Sequence, residues 1–307
     1  MSNLNKILFL GTPEIAVPSL RTLAGKYEVV GVVTAPDREA GRGKKLTPSP
    51  IKVCAEGLGL RVFQPIKVRE ILEDLRSLEA DLAVVVAYGA ILPQDFLDLF
   101  PQGCINLHFS LLPRWRGASP VQASILAGDK TTGITVQKMV YRLDAGDVLG
   151  TLERPLDGTE TTAMLWAEFA ESGAKLLDAV LAQDFKPVKQ DDAQVTLCGK
   201  FSKEDGELDF ANLSAVELDR RRRAFDPWPG VYTFFRNEKL KILETGVSPI
   251  QTEVGKIILH GGEFLVGAKE GSLILKKLQM PGKKPLSAKD FLCGYADFLQ
   301  ANLATRG

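Results

Sequence analysis

Through the first half of the chain, short apolar runs alternate with amphipathic stretches. KILFL (6–10) precedes a helix expected from Pro13 to Leu23, EVVGVVT (28–34) precedes a helix near 50–58, and DLAVVVAY (81–88) and CINLH (104–108) follow. Runs that are apolar on both faces and separated by helices predict a parallel sheet covered on both sides, a Rossmann-like α/β domain. GTPEIA (11–16) joins the first strand to the first helix without the GxGxxG spacing that brings a pyrophosphate against the backbone, so no dinucleotide is implied. A longer helix is expected from about Thr161 to Ala182, after which FKPVKQDDAQVT (185–196) breaks the period with Pro187 and a polar cluster.

Beyond that break the pattern changes. A helical stretch from Ser214 to Phe225 leads into VYTFF, LKILETGV, KIILH, EFLVGA and SLILKKLQM, divided by RNEK, GGE and KEGS turns. Short strands with tight turns predict a small antiparallel barrel or sandwich. Ser287 and Asp290 have capping-box spacing before a last apolar-periodic helix. The organisation expected is therefore an N-terminal domain over 1–184 with a mostly parallel sheet, a linker over 185–207 and an antiparallel C-terminal domain over 208–307.

Length agrees, since 307 residues exceed a comfortable single core. Charge is balanced at 38 basic against 38 acidic residues, so no overall field draws the chain to a polyanion or a membrane, and any such partner must meet a local patch. The apolar run before Gly11 is too short for a signal segment or a membrane span, which predicts a cytoplasmic protein. Cys54, Cys104, Cys198 and Cys293 lack CxxC spacing, so no metal site is expected, and the thiols are expected to be reduced and mostly in the core.

In a parallel α/β sheet, ligands bind beyond the carboxyl ends of the strands. Asn106 and His108 stand two apart at that end of CINLH, on one side of the strand, and YRLDAGDVL (141–149) brings Asp144 in a tight loop. A carboxamide, an imidazole and a carboxylate suit acyl transfer to an amine. The first two can donate to a developing oxyanion, and the third can hold an imidazolium or take the amine proton through water. Taken singly, a strand histidine can equally be a satisfied core residue and an aspartate beside glycine a turn-former.

The words are more specific than their spacing. "NLHFSLLPRWRGASP" followed by "TGITVQKMVYRLDAGDVL" resembles the signature of the 10-formyltetrahydrofolate-dependent formyltransferase family, whose catalytic Asn, His and Asp fall on Asn106, His108 and Asp144. "LFLGTPEIAVPSL", "APDREAGRGKKLTPSPIKVCAE", "RAFDPWPGVYTFF" and "GKKPLSAKDFLCGY" extend the likeness over essentially the whole chain, with Phe109 standing where many members have a small residue. The resemblance implies 10-formyltetrahydrofolate as co-substrate, an OB-like β-barrel for the C-terminal domain, and initiator methionyl-tRNA as the partner whose methionine amine accepts the formyl group. It also implies a folate site lined by Val86, Tyr88, Gly89, Ile91, Leu92, Ser110, Leu111, Leu112 and Pro113. A monomer that needs no metal or membrane is expected.

Two basic runs remain. DREAGRGKK with its two glycines is expected to be irregular; alone it reads as a solvated loop, and with the family likeness Arg38, Arg42, Gly43, Lys44 and Lys45 read as the loop that enters the tRNA acceptor arm. RRRR (220–223) is expected to be a solvated helix face or to pair locally with Glu217 and Asp219, with phosphate contact as a further alternative. Two other functions stay open: the same trio formylating a small amine such as a glycinamide or sugar nucleotide, and RNA binding without catalysis.

Overall fold

The computed structural model describes residues 5–40, 45–183 and 186–304. In chain order it carries β1 (Lys6–Gly11), α1 (Val17–Ala24), β2 (Glu28–Val33), β3 (Arg38–Ala40), β4 (Lys45–Thr47), α2 (Pro50–Gly57), β5 (Val62–Phe63), α3 (Leu72–Arg76), β6 (Leu82–Val86), α4 (Gln94–Leu97) and β7 (Cys104–His108). There follow β8 (Arg116–Gly117), α5 (Pro120–Ala127), β9 (Thr131–Lys138), β10 (Val148–Pro155), α6 (Thr162–Ala182), β11 (Leu197–Cys198) and α7 (Ala215–Ala224). The chain closes with β12 (Val231–Phe235), β13 (Glu238–Ser248), β14 (Ile257–His260), β15 (Glu263–Gly267), β16 (Ser272–Gln279), β17 (Leu286–Ser287) and α8 (Ala288–Gly294). Two compact units result, one formed by residues 1–120, 131–155 and 165–199, the other by 121–130, 156–164 and 200–307.

The first unit is built on a seven-stranded sheet in the order β10-β9-β7-β6-β1-β2-β5. The five strands from β5 to β7 are mutually parallel, as their two-sided apolar character requires. One face packs Leu8, Leu10, Val33, Ala83 and Val85 with Phe96 and Phe100. Helix α6 approaches so closely that a Cβ on Gly173 would lie 2.6 Å from Leu107 Cδ2. The sheet then continues beyond β7 with two antiparallel strands, β9 and β10, which the sequence pattern did not single out because TTGITVQK mixes polar residues and glycine into its apolar positions.

Three local expectations need correction. The basic stretch after Asp37 is not wholly irregular: Arg38 pairs with Thr47 and Ala40 with Lys45 in a short antiparallel ribbon of three residues on each side. Residues 186–199 are no bare tether, because β11 pairs in parallel with β8. Of the cysteines only Cys104 is buried, its thiol pushed up to about 12 by burial, while Cys54 and Cys198 are half-buried and Cys293 is exposed.

The second unit holds an antiparallel sheet in the order β12-β13-β16-β15-β14, with β17 added to β16. Ser214 and Glu217 cap α7 reciprocally, and Ser287 accepts from the Asp290 amide at the start of α8. Phe291 of α8 forms an edge-on aromatic cluster with Phe235 and Phe298. Among the described residues no helix is long and apolar enough to cross a membrane.

Candidate active site

The carboxyl end of β7 and its antiparallel neighbour β9 build the site together. Asn106 and His108 take alternate positions on β7, and their register partners on β9 are Gln137 and Thr135, whose side chains emerge on the same face. Thr135 Oγ1 donates to the Ser110 carbonyl at 2.7 Å and accepts from the Leu112 amide at 3.2 Å, which fixes the turn after His108. Ser110 Oγ donates to the Arg114 carbonyl at 2.6 Å.

His108 is 5% exposed, and its Nε2 lies 2.9 Å from the Trp115 carbonyl. A carbonyl only accepts, so Nε2 carries the hydrogen and Nδ1 faces Asp144 Oδ1 at 3.7 Å, too far for a direct hydrogen bond. The Asp144 carboxylate is held from two other sides, by the Gly117 amide at 2.8 Å and by Gln137 Nε2 at 3.0 Å. The Asn106 side chain makes no hydrogen bond among the described residues, and Gln137 Oε1 is buried without a partner. The structure thus brings the three expected residues together and leaves the Asn106 amide and the neighbouring Gln137 Oε1 unengaged.

The loops that carry this set are under constraint. Trp115 and Asp144 hold left-handed φ values of 61° and 48°, and Ala87 at the end of β6 holds 48°; such positions cost non-glycine residues about 1–3 kcal/mol each and gather at functional sites. Gly117, at φ 126°, passes so near Cys198 that a Cβ would sit 2.0 Å from its carbonyl oxygen, and at Gly146 a Cβ would sit 1.5 Å from the Lys138 carbonyl oxygen. Only glycine lets Gly117 offer its amide to Asp144 and lets the Asp144 loop lie against β9.

Two residues outside the expected set hold that loop. Gln190 Nε2 donates to the Asp144 and Gly146 carbonyls at 2.9 and 2.6 Å, while its Oε1 accepts from Arg116 Nε and Nη2 at 3.0 and 2.8 Å. Arg116 is buried and also reaches Asp192. Gln190 lies in the stretch read as linker, and nothing in its local pattern marks it. Burial pushes the Cys198 thiol up, opposed by a hydrogen bond from the Ser119 backbone and reinforced by Asp144, so this neighbour of the site is a poor nucleophile.

Of the expected folate-site residues, Val86, Tyr88, Leu92, Ser110 and Leu112 are buried, Leu111 and Pro113 half-buried, and Gly89 and Ile91 exposed. Tyr88 and Leu92 belong to the core cluster of the first unit, and the Tyr88 carbonyl accepts from Thr12 Oγ1. Two open cavities, of about 220 and 300 Å³, lie in the second unit, and neither includes Asn106, His108 or Asp144. No group of three metal-ligating side chains is placed to hold an ion among the described residues.

Of the expected tRNA-binding residues, Arg38 and Lys45 face each other's strands on the exposed ribbon, while Arg42, Gly43 and Lys44 lie outside the described residues. The RRRR run is not a solvated face: Arg223 is buried against Asp219 at 2.8 Å, Arg222 donates to Thr245, and Arg221 donates to the Asp205 carbonyl and lies over the Phe225 ring.

Comparison with known proteins accords with this geometry. The family model described as formyl transferase matches residues 5–181, and that of the formyl transferase C-terminal domain matches 200–296. The chain belongs to the formyl transferase family. A curated relative named methionyl-tRNA formyltransferase, from Geotalea daltonii, is 43% identical over 94% of this chain and 95% of its own length. Among solved structures, the sugar 3N-formyl transferase WlaRD shares the fold with a TM-score of 0.66 at 18% identity, covering 92% of this chain and all of its own. HypX from Aquifex aeolicus does so with a TM-score of 0.65 at 16% identity over 96% of this chain, which spans half of HypX.

Proposed function

We propose that this chain transfers the formyl group of 10-formyltetrahydrofolate to the α-amino group of methionine on initiator methionyl-tRNA, acting as a cytoplasmic monomer. The observation that carries the reading is the convergence of Asn106, His108 and Asp144 at the end of β7, with the Asn106 amide unengaged. The name shared by the curated relatives supplies the acceptor. The domain division follows from it, with the first unit holding the folate and the chemistry, and the second, with its OB-like sheet, contacting the tRNA.

The residues fit a flat, polar-edged donor: an apolar wall at Tyr88, Leu92 and Leu112 lies in the same unit as two unengaged polar groups, Asn106 Nδ2 and Gln137 Oε1. The donor brings the formyl carbon. Asn106 donates to the formyl oxygen as negative charge grows on it. The methionine amine attacks the carbon, the bond from that carbon to the donor nitrogen breaks, and the amine's proton passes to the His108–Asp144 pair while the leaving nitrogen takes one up. The 3.7 Å between Nδ1 and Oδ1 leaves the pair to be bridged rather than closed. The two donors on Asp144 hold its carboxylate in place meanwhile.

Formation of formylmethionyl-tRNA from purified components tests this. His108→Ala and Asn106→Ala are each expected to lower kcat by about 10²–10³ with the fold intact. Near-normal formylation by either variant would sink the assignment of the site. A wild-type chain that formylates only small amines, indifferent to loss of Arg38 and Lys45, would favour the small-amine reading.

A further inference from the structure

The residues just before Asp144 carry an apolar surface that the chemistry above does not use. Val140, Tyr141 and Leu143 are 45%, 72% and 66% exposed, whereas Met139, the next residue back, packs on the core cluster that includes Tyr88 and Leu92. The segment is nonetheless ordered. The Lys138 amide donates to the Asp147 carbonyl at 2.8 Å, the Ala145 amide to the Arg142 carbonyl at 3.2 Å, and Gln190 holds the Asp144 and Gly146 carbonyls. Arg142 is itself tied to Asp192 at 3.6 Å.

A large aromatic ring held in solvent by an ordered loop, beside reacting groups, has the character of a recognition surface. Tyr141 stands three residues from Asp144, within about 11 Å of chain. In an aminoacyl ester of RNA, the amine and the terminal base are joined by a short string of covalent bonds through one ribose. An amine placed at His108 and Asp144 therefore brings its own terminal base to the rim of the same loop.

We propose that Tyr141 is the stacking platform for the terminal nucleobase of the RNA that carries the acceptor amine. The inference rests on the acceptor assigned above. Stacking on a ring face reads no base edge, so it holds the terminus in place without selecting a sequence. The bonds from Gln190 to the Asp144 and Gly146 carbonyls hold the loop just after Tyr141 in place before binding, which lowers the entropy lost on docking.

The test uses the full chain with methionyl-tRNA whose terminal nucleoside is either adenosine or an abasic ribose, aminoacylated chemically. Tyr141→Ala is expected to raise KM for the normal substrate about tenfold with kcat within about twofold, and Tyr141→Phe to restore it. Wild type is expected to show the same rise on the abasic substrate, and Tyr141→Ala no further rise there. The proposal is overturned by an unchanged KM in Tyr141→Ala, by a further loss of equal size on the abasic substrate, or by a shift in KM for the folate donor instead. Wild-type activity on normal methionyl-tRNA reads the acceptor assignment separately; if it is lacking, that assignment and this inference fall together.

Discussion

Arg221, Arg222 and Arg223 on α7 each engage a group within the second unit, whereas Arg38 and Lys45 on the β3–β4 ribbon stand exposed on the first. Their sequences are about equally basic. What separates them is the supply of acceptors: Asp219 sits one helical turn before Arg223, and Thr245 and the Asp205 carbonyl lie within reach of its neighbours. Burial draws the Arg222 guanidinium below its usual range, against the pull of Asp219 and Asp226. At the ribbon, Asp37 is already taken by Lys52 and Gln64. Positive charge that has found acceptors holds a fold together, and positive charge that has not stays exposed to solvent.

The comparison is most easily broken at Arg223. Its side chain and that of Asp219 are 10% and 14% exposed, so Arg223→Ala leaves a nearly buried carboxylate without its ion and is expected to cost about 3–5 kcal/mol in denaturant unfolding. Arg38→Ala, by contrast, should stay within about 0.5 kcal/mol of wild type. A neutral Arg223→Ala would place α7 with the ribbon as a binding surface.

Arg116 is the case between. It lies in the motif that carries His108, yet it is buried and donates to Gln190, which in turn holds the Asp144 loop. Arg116→Ala is expected to lose about 2–3 kcal/mol of stability and to lower kcat, whereas an RNA-binding arginine there would raise KM for tRNA with stability unchanged. Unfolding and formylation kinetics on one preparation separate the two.

For the ribbon the expected effect is on affinity. Arg38→Ala and Lys45→Ala should each weaken tRNA binding several-fold and reduce the slope of log K against log salt by about 1. Arg222→Gln should leave that slope untouched. Filter binding over a series of salt concentrations measures both.

What the sequence made legible divides along the same line. Four of the five parallel strands announced themselves through apolar runs, the two-residue β5 being too short to do so, and Asn106, His108 and Asp144 through words specific to a family. β9 did not, because a strand that lines a site exchanges apolar positions for Thr135 and Gln137. Gln190 and Arg116 were hidden for another reason: each holds the site through a partner 74 residues away, and no local period encodes such a pair. For RRRR the local spacing showed the Arg223–Asp219 pair, but not Thr245 or the Asp205 carbonyl, since a run of arginines does not record which distant acceptors the fold will bring to it.

The smallest expected effect tests how lightly the ribbon is held. Lys52 Nζ lies 2.8 Å from Asp37 Oδ2, and Gln64 Nε2 donates to Oδ1 at 2.7 Å. Lys52 first and Gln64 second hold the Asp37 carboxyl below its usual range. A carboxylate whose folded pKa is depressed contributes above its unfolded value, about 3.9, and that contribution is lost as pH falls through the lower folded value. The anchor is therefore whole at neutral pH and through about pH 5, and weakens only in stronger acid. Hydrogen exchange at the Glu39 and Leu46 amides should be faster in Asp37→Asn than in wild type near pH 5, and the difference should narrow as the wild-type carboxylate is protonated in stronger acid. A difference that persists in acid would mean that Asp37 acts by shape rather than charge. The ribbon would then be fixed by its own backbone pairing, as α7 is by its buried pair, and the contrast between the two regions would rest on exposure alone.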